Sequence, residues 1–125
     1  MRNTISLIAA LLPAPVMAAE FRCIPDRICV PGSCLDDMTD ESVLRFTHPD
    51  SAAPALHSYG EVIAMTKTVE RSGVSQWEGV NAKGEYEILH LIRNGMGFTH
   101  TIGGEFVKYV GREIRYMAKG TCEVQ

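Results

Sequence analysis

Short apolar runs, broken at close intervals by turn formers, fill most of the chain. The breaks fall at Pro31-Gly32, His48-Pro49-Asp50, Gly60, Ser72-Gly73, Asn81-Ala82-Lys83-Gly84, Asn94-Gly95, Gly103-Gly104, Gly111-Arg112 and Gly120. That spacing leaves room for strands and almost none for helices of ordinary length. The runs between them are dominated by β-branched and aromatic residues, which predicts strands over 43–47, 62–69, 86–92, 97–102, 106–110 and 114–118. The acidic stretch Asp36-Asp37-Met38-Thr39-Asp40-Glu41 allows one helical turn, with Thr39 in the N-cap position.

The sharpest local signal is Asn94-Gly95 between two apolar runs, the mark of a two-residue hairpin turn. A two-residue turn there pairs His90 with Thr99 and Leu89 with His100. Neighbouring residues of a strand point to opposite faces, so the two imidazoles lie on opposite faces of one hairpin. Alternation is clean in Ile114-Arg115-Tyr116-Met117-Ala118-Lys119, where Ile114, Tyr116 and Ala118 share a face. In 86–92 it blurs, with Ile88 and Ile92 on one face and Leu89 and Leu91 on the other, so both faces of the central strands need cover. The expected fold is all-β: an antiparallel meander of about 7–8 strands curled into a small barrel or half-barrel, which removes most of the sheet edge.

Residues 1–18 stand outside this pattern. Arg2, the apolar stretch 5–12, the breakers Pro13 and Pro15, and the small-residue pair Val16 and Ala18 read as a signal peptide cut after Ala18. The apolar stretch is far shorter than the roughly 20 residues a membrane-spanning helix needs. Cys23 lies behind Glu20-Phe21-Arg22, too far from the cut to carry a lipid anchor. Residues 19–125 are then a single β domain, periplasmic or secreted, with no membrane span after cleavage.

Export changes the reading of the cysteines. The four of them, Cys23, Cys29, Cys34 and Cys122, predict two disulfides in an oxidising compartment. Pro31-Gly32 suits a type II turn that sets Cys29 opposite Cys34. Cys23 and Cys122 remain, and they tie the first strand to the last. A four-cysteine metal site would need a C-x2-C pair, and the chain has none.

Composition is ordinary for a globular protein, with 46% hydrophobic and 22% charged residues. The net charge of −3 leaves no basic excess for phosphates, so nucleic acid is not an expected partner. The serine elbow G-x-S-x-G and a glycine-rich phosphate loop are both missing, and His57-Ser58 point to opposite faces of a strand. His48, Asp50 and His57 are the one group with metal-ligand chemistry on a shared loop, at a spacing that matches no metal motif; a solvated turn accounts for them. The carboxylates of 36–41 lack the spaced oxygens and central glycine of a calcium loop. Trp77 reads as a core or rim anchor. These features predict no catalytic residue, cofactor or metal, and a binding domain for an unknown protein or small ligand of the cell envelope. A carrier with an apolar ligand between its Leu, Ile and Phe side chains is the alternative drawn from composition.

With a cysteine-rich start and the ending Tyr116-Met117-Ala118-Lys119-Gly120-Thr121-Cys122, the chain resembles small exported β proteins of bacteria, most of which have no assigned activity. The same ending resembles the periplasmic C-type lysozyme inhibitors, small antiparallel barrels marked by a tyrosine followed closely by Thr-Lys-Gly. Lys119 and Gly120 match. Ala118 replaces the threonine, Tyr116 is one residue nearer than in the pattern, and Phe106 stands where the partner motif has a small residue. The resemblance implies an inhibitor of a lysozyme-type cell-wall hydrolase. Tyr116, Lys119 and Gly120 would form its binding motif, and Lys119 would enter an acidic catalytic cleft.

Overall fold

A computed structural model describes residues 20–36, 43–104 and 114–125. The expected signal peptide, most of the acidic stretch and the strand expected over 106–110 lie outside the described residues. Among the described residues ten strands form one antiparallel sheet: β1 (Glu20–Val30), β2 (Ser33–Asp36), β3 (Leu44–Thr47), β4 (Ala55–Ser58), β5 (Glu61–Ala64), β6 (Thr66–Arg71), β7 (Val74–Val80), β8 (Tyr86–Ile92), β9 (Gly97–Gly103) and β10 (Ile114–Val124). A single 3-10 turn at Arg93–Gly95 is the helical element among the described residues, and no helix there is long and apolar enough to cross a membrane.

The strand order is β5-β4-β3-β1-β10-β9-β8-β7-β6, with β2 paired to β1 beside the path. Two meanders are thus joined by the pairing of β1 with β10, the first strand with the last. The ends of this order, β5 and β6, are consecutive in the chain. The run 62–69, expected as one strand, breaks at Met65, whose N–H donates to Pro54 O at 3.0 Å, and the chain crosses there from one edge of the sheet to the other. This break, together with the additional short strands β2 and β4, accounts for ten strands where about 7–8 were expected.

The seam between the two ends is held without a continuous ladder. Gly79 lets β5 approach closely, because a Cβ there would lie 2.5 Å from Ala64 O and 2.7 Å from Met65 Sδ. Nearby, the Glu61 carboxylate accepts the Ala82 N–H at 2.5 Å. The result is a nearly closed barrel-shaped sheet.

The expected β8–β9 register is present: His90 pairs with Thr99 and Leu89 with His100. Asn94 and Gly95 take φ of 57° and 91°, and Met96 N–H closes the turn on Arg93 O at 3.2 Å. Positive φ at both central positions is what a type I′ turn demands, and Asn and Gly are the residues that accept it. Alternation fills the interior with Phe46, Leu56, Trp77, Leu89, Leu91, Phe98, Ile102, Tyr116 and Ala118. The Phe46 and Trp77 rings meet edge to face, 4.7 Å between centroids.

Both disulfides form as expected, Cys23–Cys122 and Cys29–Cys34. Each bridges residues directly opposite in the ladder, Cys23 with Cys122 on β1 and β10, Cys29 with Cys34 on β1 and β2. The pair fits an oxidising compartment.

Candidate functional site

Among the described residues, polar or reactive groups gather in several places. The first is inside the barrel. In the ladder Glu87 pairs with Ile102 and Leu89 with His100, so Glu87 and His100 are diagonal neighbours on the inward face. His100 Nε2 and Glu87 Oε1 are 2.8 Å apart, with the residues 0% and 3% exposed. Glu87 Oε2 accepts an N–H from Asn81 Nδ2 at 2.8 Å. Asn81 in turn builds the β7–β8 turn, where its Oδ1 accepts the N–H groups of Lys83 and Glu85 at 2.9 and 3.0 Å. A buried carboxylate is costly unless its oxygens are hydrogen-bonded, and here both are. Outside, Glu85 accepts two hydrogen bonds from Arg115, at 2.5 and 2.9 Å, which hold its carboxyl below the ordinary range.

Tyr116, one of the residues implied by the inhibitor resemblance, lies in this interior with its ring edge-on to His100. Its hydroxyl meets that of Tyr59 at 2.5 Å. Burial, reinforced by that hydrogen bond, pushes the Tyr116 phenol well above its ordinary value. Tyr59 reaches it from the β4–β5 turn, where it takes a φ of 46°. The group can therefore brace the core but is closed to a substrate.

The second place is a cleft of about 370 Å³ beneath the 48–54 loop, with Pro49, Asp50, Pro54, Met65, Lys67 and Trp77 among its lining. Trp77, 3% exposed, closes its floor, and Lys67 Nζ stands 5.2 Å from the ring centroid while paired to Glu70 at 2.7 Å.

The third lies on the outer face. Strands β2, β1 and β10 run side by side there and align Asp36, Arg27 and Lys119 in one row, and Cys34, Cys29 and Met117 in the next. Arg27, Cys29, Cys34, Met117 and Lys119 line an open cleft of about 260 Å³. Arg27 is paired to Asp36 at 3.3 Å. Lys119 is exposed and has no ion-pair partner among the described residues.

The three residues of the inhibitor resemblance are thus separated. Lys119 is in the middle of β10 on the outside, Tyr116 is inside, and Gly120 is pressed against the backbone of β1, where a Cβ would meet Pro25 Cα at 2.8 Å. The histidines are dispersed as well. His48 is exposed at the end of β3, and His57 contacts Thr47 Oγ1 at 3.3 Å beside Arg45. His90 is on the outer face, where partial burial lowers its pKa. Among the described residues no three His, Cys, Asp or Glu side chains converge as a metal site would require.

The Glu87–His100 pair escaped the sequence reading, although its signal was present. Once His100 is set opposite Leu89, alternation sends it inward, and Glu87 follows two residues along the same face. Comparison with known protein families, with curated proteins and with solved structures finds no match to this chain.

Proposed function

We propose that this protein is an exported, non-catalytic binding domain of the periplasm or the extracellular space, and that it engages an acidic protein surface through the outer face around Lys119. The observation that carries this reading is Lys119 itself, an exposed cation without an ion-pair partner among the described residues, set in an open cleft beside Met117 and Arg27. A cation in that setting favours carboxylates on a partner, and the methionine adds adaptable apolar contact. The interior supports the same choice over a carrier, since the space an apolar ligand would need is filled by Phe46, Trp77, Leu89, Phe98 and Tyr116.

A lysozyme-type hydrolase, with carboxylates in its cleft, is one partner of this chemistry. The direct test measures binding to a C-type lysozyme and capture of envelope proteins by wild type, Lys119→Arg and Lys119→Glu. A partner held by the first two and lost by Lys119→Glu supports the reading. A partner held equally by all three moves the contact surface elsewhere. Export is checked by intact mass, expected to begin at Ala19 or Glu20; exported protein that retains Arg2 would contradict it.

A further inference from the structure

We propose that the Cys29–Cys34 bridge is a thiol–disulfide exchange site, able to accept two electrons from a dithiol, with Lys119 stabilising the thiolate that leaves. This goes beyond the binding reading and needs no protein partner to be tested.

The two bridges of this protein have opposite surroundings. Cys23 is fully buried and Cys122 is partly buried against the core, so one sulfur of that bridge is shielded and the other is only partly open to a reductant. Cys34 is exposed, Cys29 is half-buried, and both open into the cleft with Arg27, Met117 and Lys119. Exposed disulfides are the ones prone to exchange, and access to a sulfur is the first requirement for attack.

Opening this bridge also releases little structure. The cysteines are only 5 residues apart, and the hairpin that carries them is held by the pairs Arg27 with Asp36, Ile28 with Leu35 and Val30 with Ser33. Gly32, at φ of 83°, supplies the positive dihedral of its turn. The thiols produced by reduction therefore stay opposite one another, ready to close again.

The neighbours favour the chemistry. In the ladder Cys29 has Met117 beside it on β10, and the next outward pair along the same two strands is Arg27 with Lys119. A nearby ammonium or guanidinium lowers the pKa of a cysteine thiol, and a sulfur of lower pKa leaves faster. Arg27 is already shared with Asp36, whereas Lys119 has no ion-pair partner among the described residues.

The exchange runs in two steps. A thiolate of the dithiol attacks Cys34 Sγ; the new S–S bond forms as the Cys29–Cys34 bond breaks, and the electron pair departs on Cys29 Sγ, facing the cationic row. The second thiol of the reductant loses its proton and attacks the sulfur of its own molecule in the mixed disulfide, expelling Cys34 as a thiolate. The reductant leaves as a disulfide, Cys29 and Cys34 have gained two electrons, and the two protons released by the dithiol protonate them.

The experiment treats the oxidised, folded protein with dithiothreitol at low ionic strength, quenches with iodoacetamide at intervals and maps alkylated peptides. Cys29 and Cys34 are expected to be labelled first, while Cys23–Cys122 stays closed and the far-ultraviolet circular dichroism is unchanged. Lys119→Gln is expected to slow the opening about threefold, a difference that shrinks at high salt as the charge is screened. Lys119→Arg should restore the rate. Simultaneous reduction of both bridges, accompanied by unfolding, overturns the proposal. An opening rate equal in wild type and Lys119→Gln overturns the role given to Lys119 in it.

Discussion

Alanine at position 120 would meet the backbone of β1. A Cβ built there lies 2.8 Å from Pro25 Cα and 2.9 Å from Asp26 N, and closer still to Ile24 O, where ordinary contact begins near 3.4 Å. All three neighbours are main chain, so no flexible side chain can swing away. Strand β1 would have to retreat by roughly 1 Å, the kind of shift that overpacked sites force. The retreat is opposed on both sides: the β1–β10 ladder runs from Phe21 paired with Val124 to Cys29 paired with Met117, and the Cys23–Cys122 bridge lies two positions from the clash. Overpacking usually costs about 1–3 kcal/mol, and Gly120→Ala belongs at about 3 because backbone must yield. For a domain of this size that corresponds to a fall in Tm on the order of 15 °C. Gly60→Ala is the control, since its Cβ enters open space and only its φ of 81° opposes it, at about 1 kcal/mol. Urea denaturation of both variants under non-reducing conditions gives the comparison. Equal stability of Gly120→Ala and wild type would refute the packing argument and return Gly120 to the role of a binding-motif residue.

The remaining predictions concern the bridges, the interior and the outer face. Removing Cys23–Cys122, which spans a separation of 99, should cost about 4.7 kcal/mol, and removing Cys29–Cys34, at a separation of 5, about 2; double alanine variants compared in urea would contradict this if the order reversed. Glu87→Ala strips His100 Nε2 of its buried partner, leaves Asn81 Nδ2 only its contact with Glu85 at 3.2 Å, and should destabilise by about 3 kcal/mol; a loss under 1 kcal/mol would mean that water or rearrangement satisfies the ring. His90 has its pKa lowered by burial from the ordinary value of 6.5, so above that value both folded and unfolded forms are neutral and no penalty exists. Below it the unfolded chain takes up the proton first, and stability falls with acidification until the folded pKa is passed. Titration of the His90 ring by NMR should show protonation below 6.5, and His90→Gln should flatten the acid slope of stability; a midpoint at or above 6.5 would remove the argument.

Turn chemistry and alternation made much of this barrel legible in one dimension. Asn94-Gly95 set the β8–β9 register because only a residue pair that tolerates positive φ closes that hairpin. Pro31-Gly32 brought Cys29 opposite Cys34 by the same local logic, and two cysteines then remained for the long bridge. Tyr116 and Ala118 were readable as one face because side chains alternate with a period of two, whereas Ile114, expected on that face, lies beyond a register shift against β9 and outside the core. The interior pair was readable as well, had Glu87 been followed along the face that His100 occupies. Other features depended on chain segments far apart in sequence. Nothing local marks Met65 as the point where an apolar run leaves one sheet edge for the other; that break exists because β5 and β6 are the two ends of a closing sheet, held by Pro54, Gly79 and Glu61. Tyr116, Lys119 and Gly120 are neighbours in sequence, yet the barrel sends one inside, leaves one outside and presses the third against β1. The chain's local pattern determined which segments became strands and where they turned. Only closure of the sheet, which brings distant backbones into contact, decided which side chains share a surface.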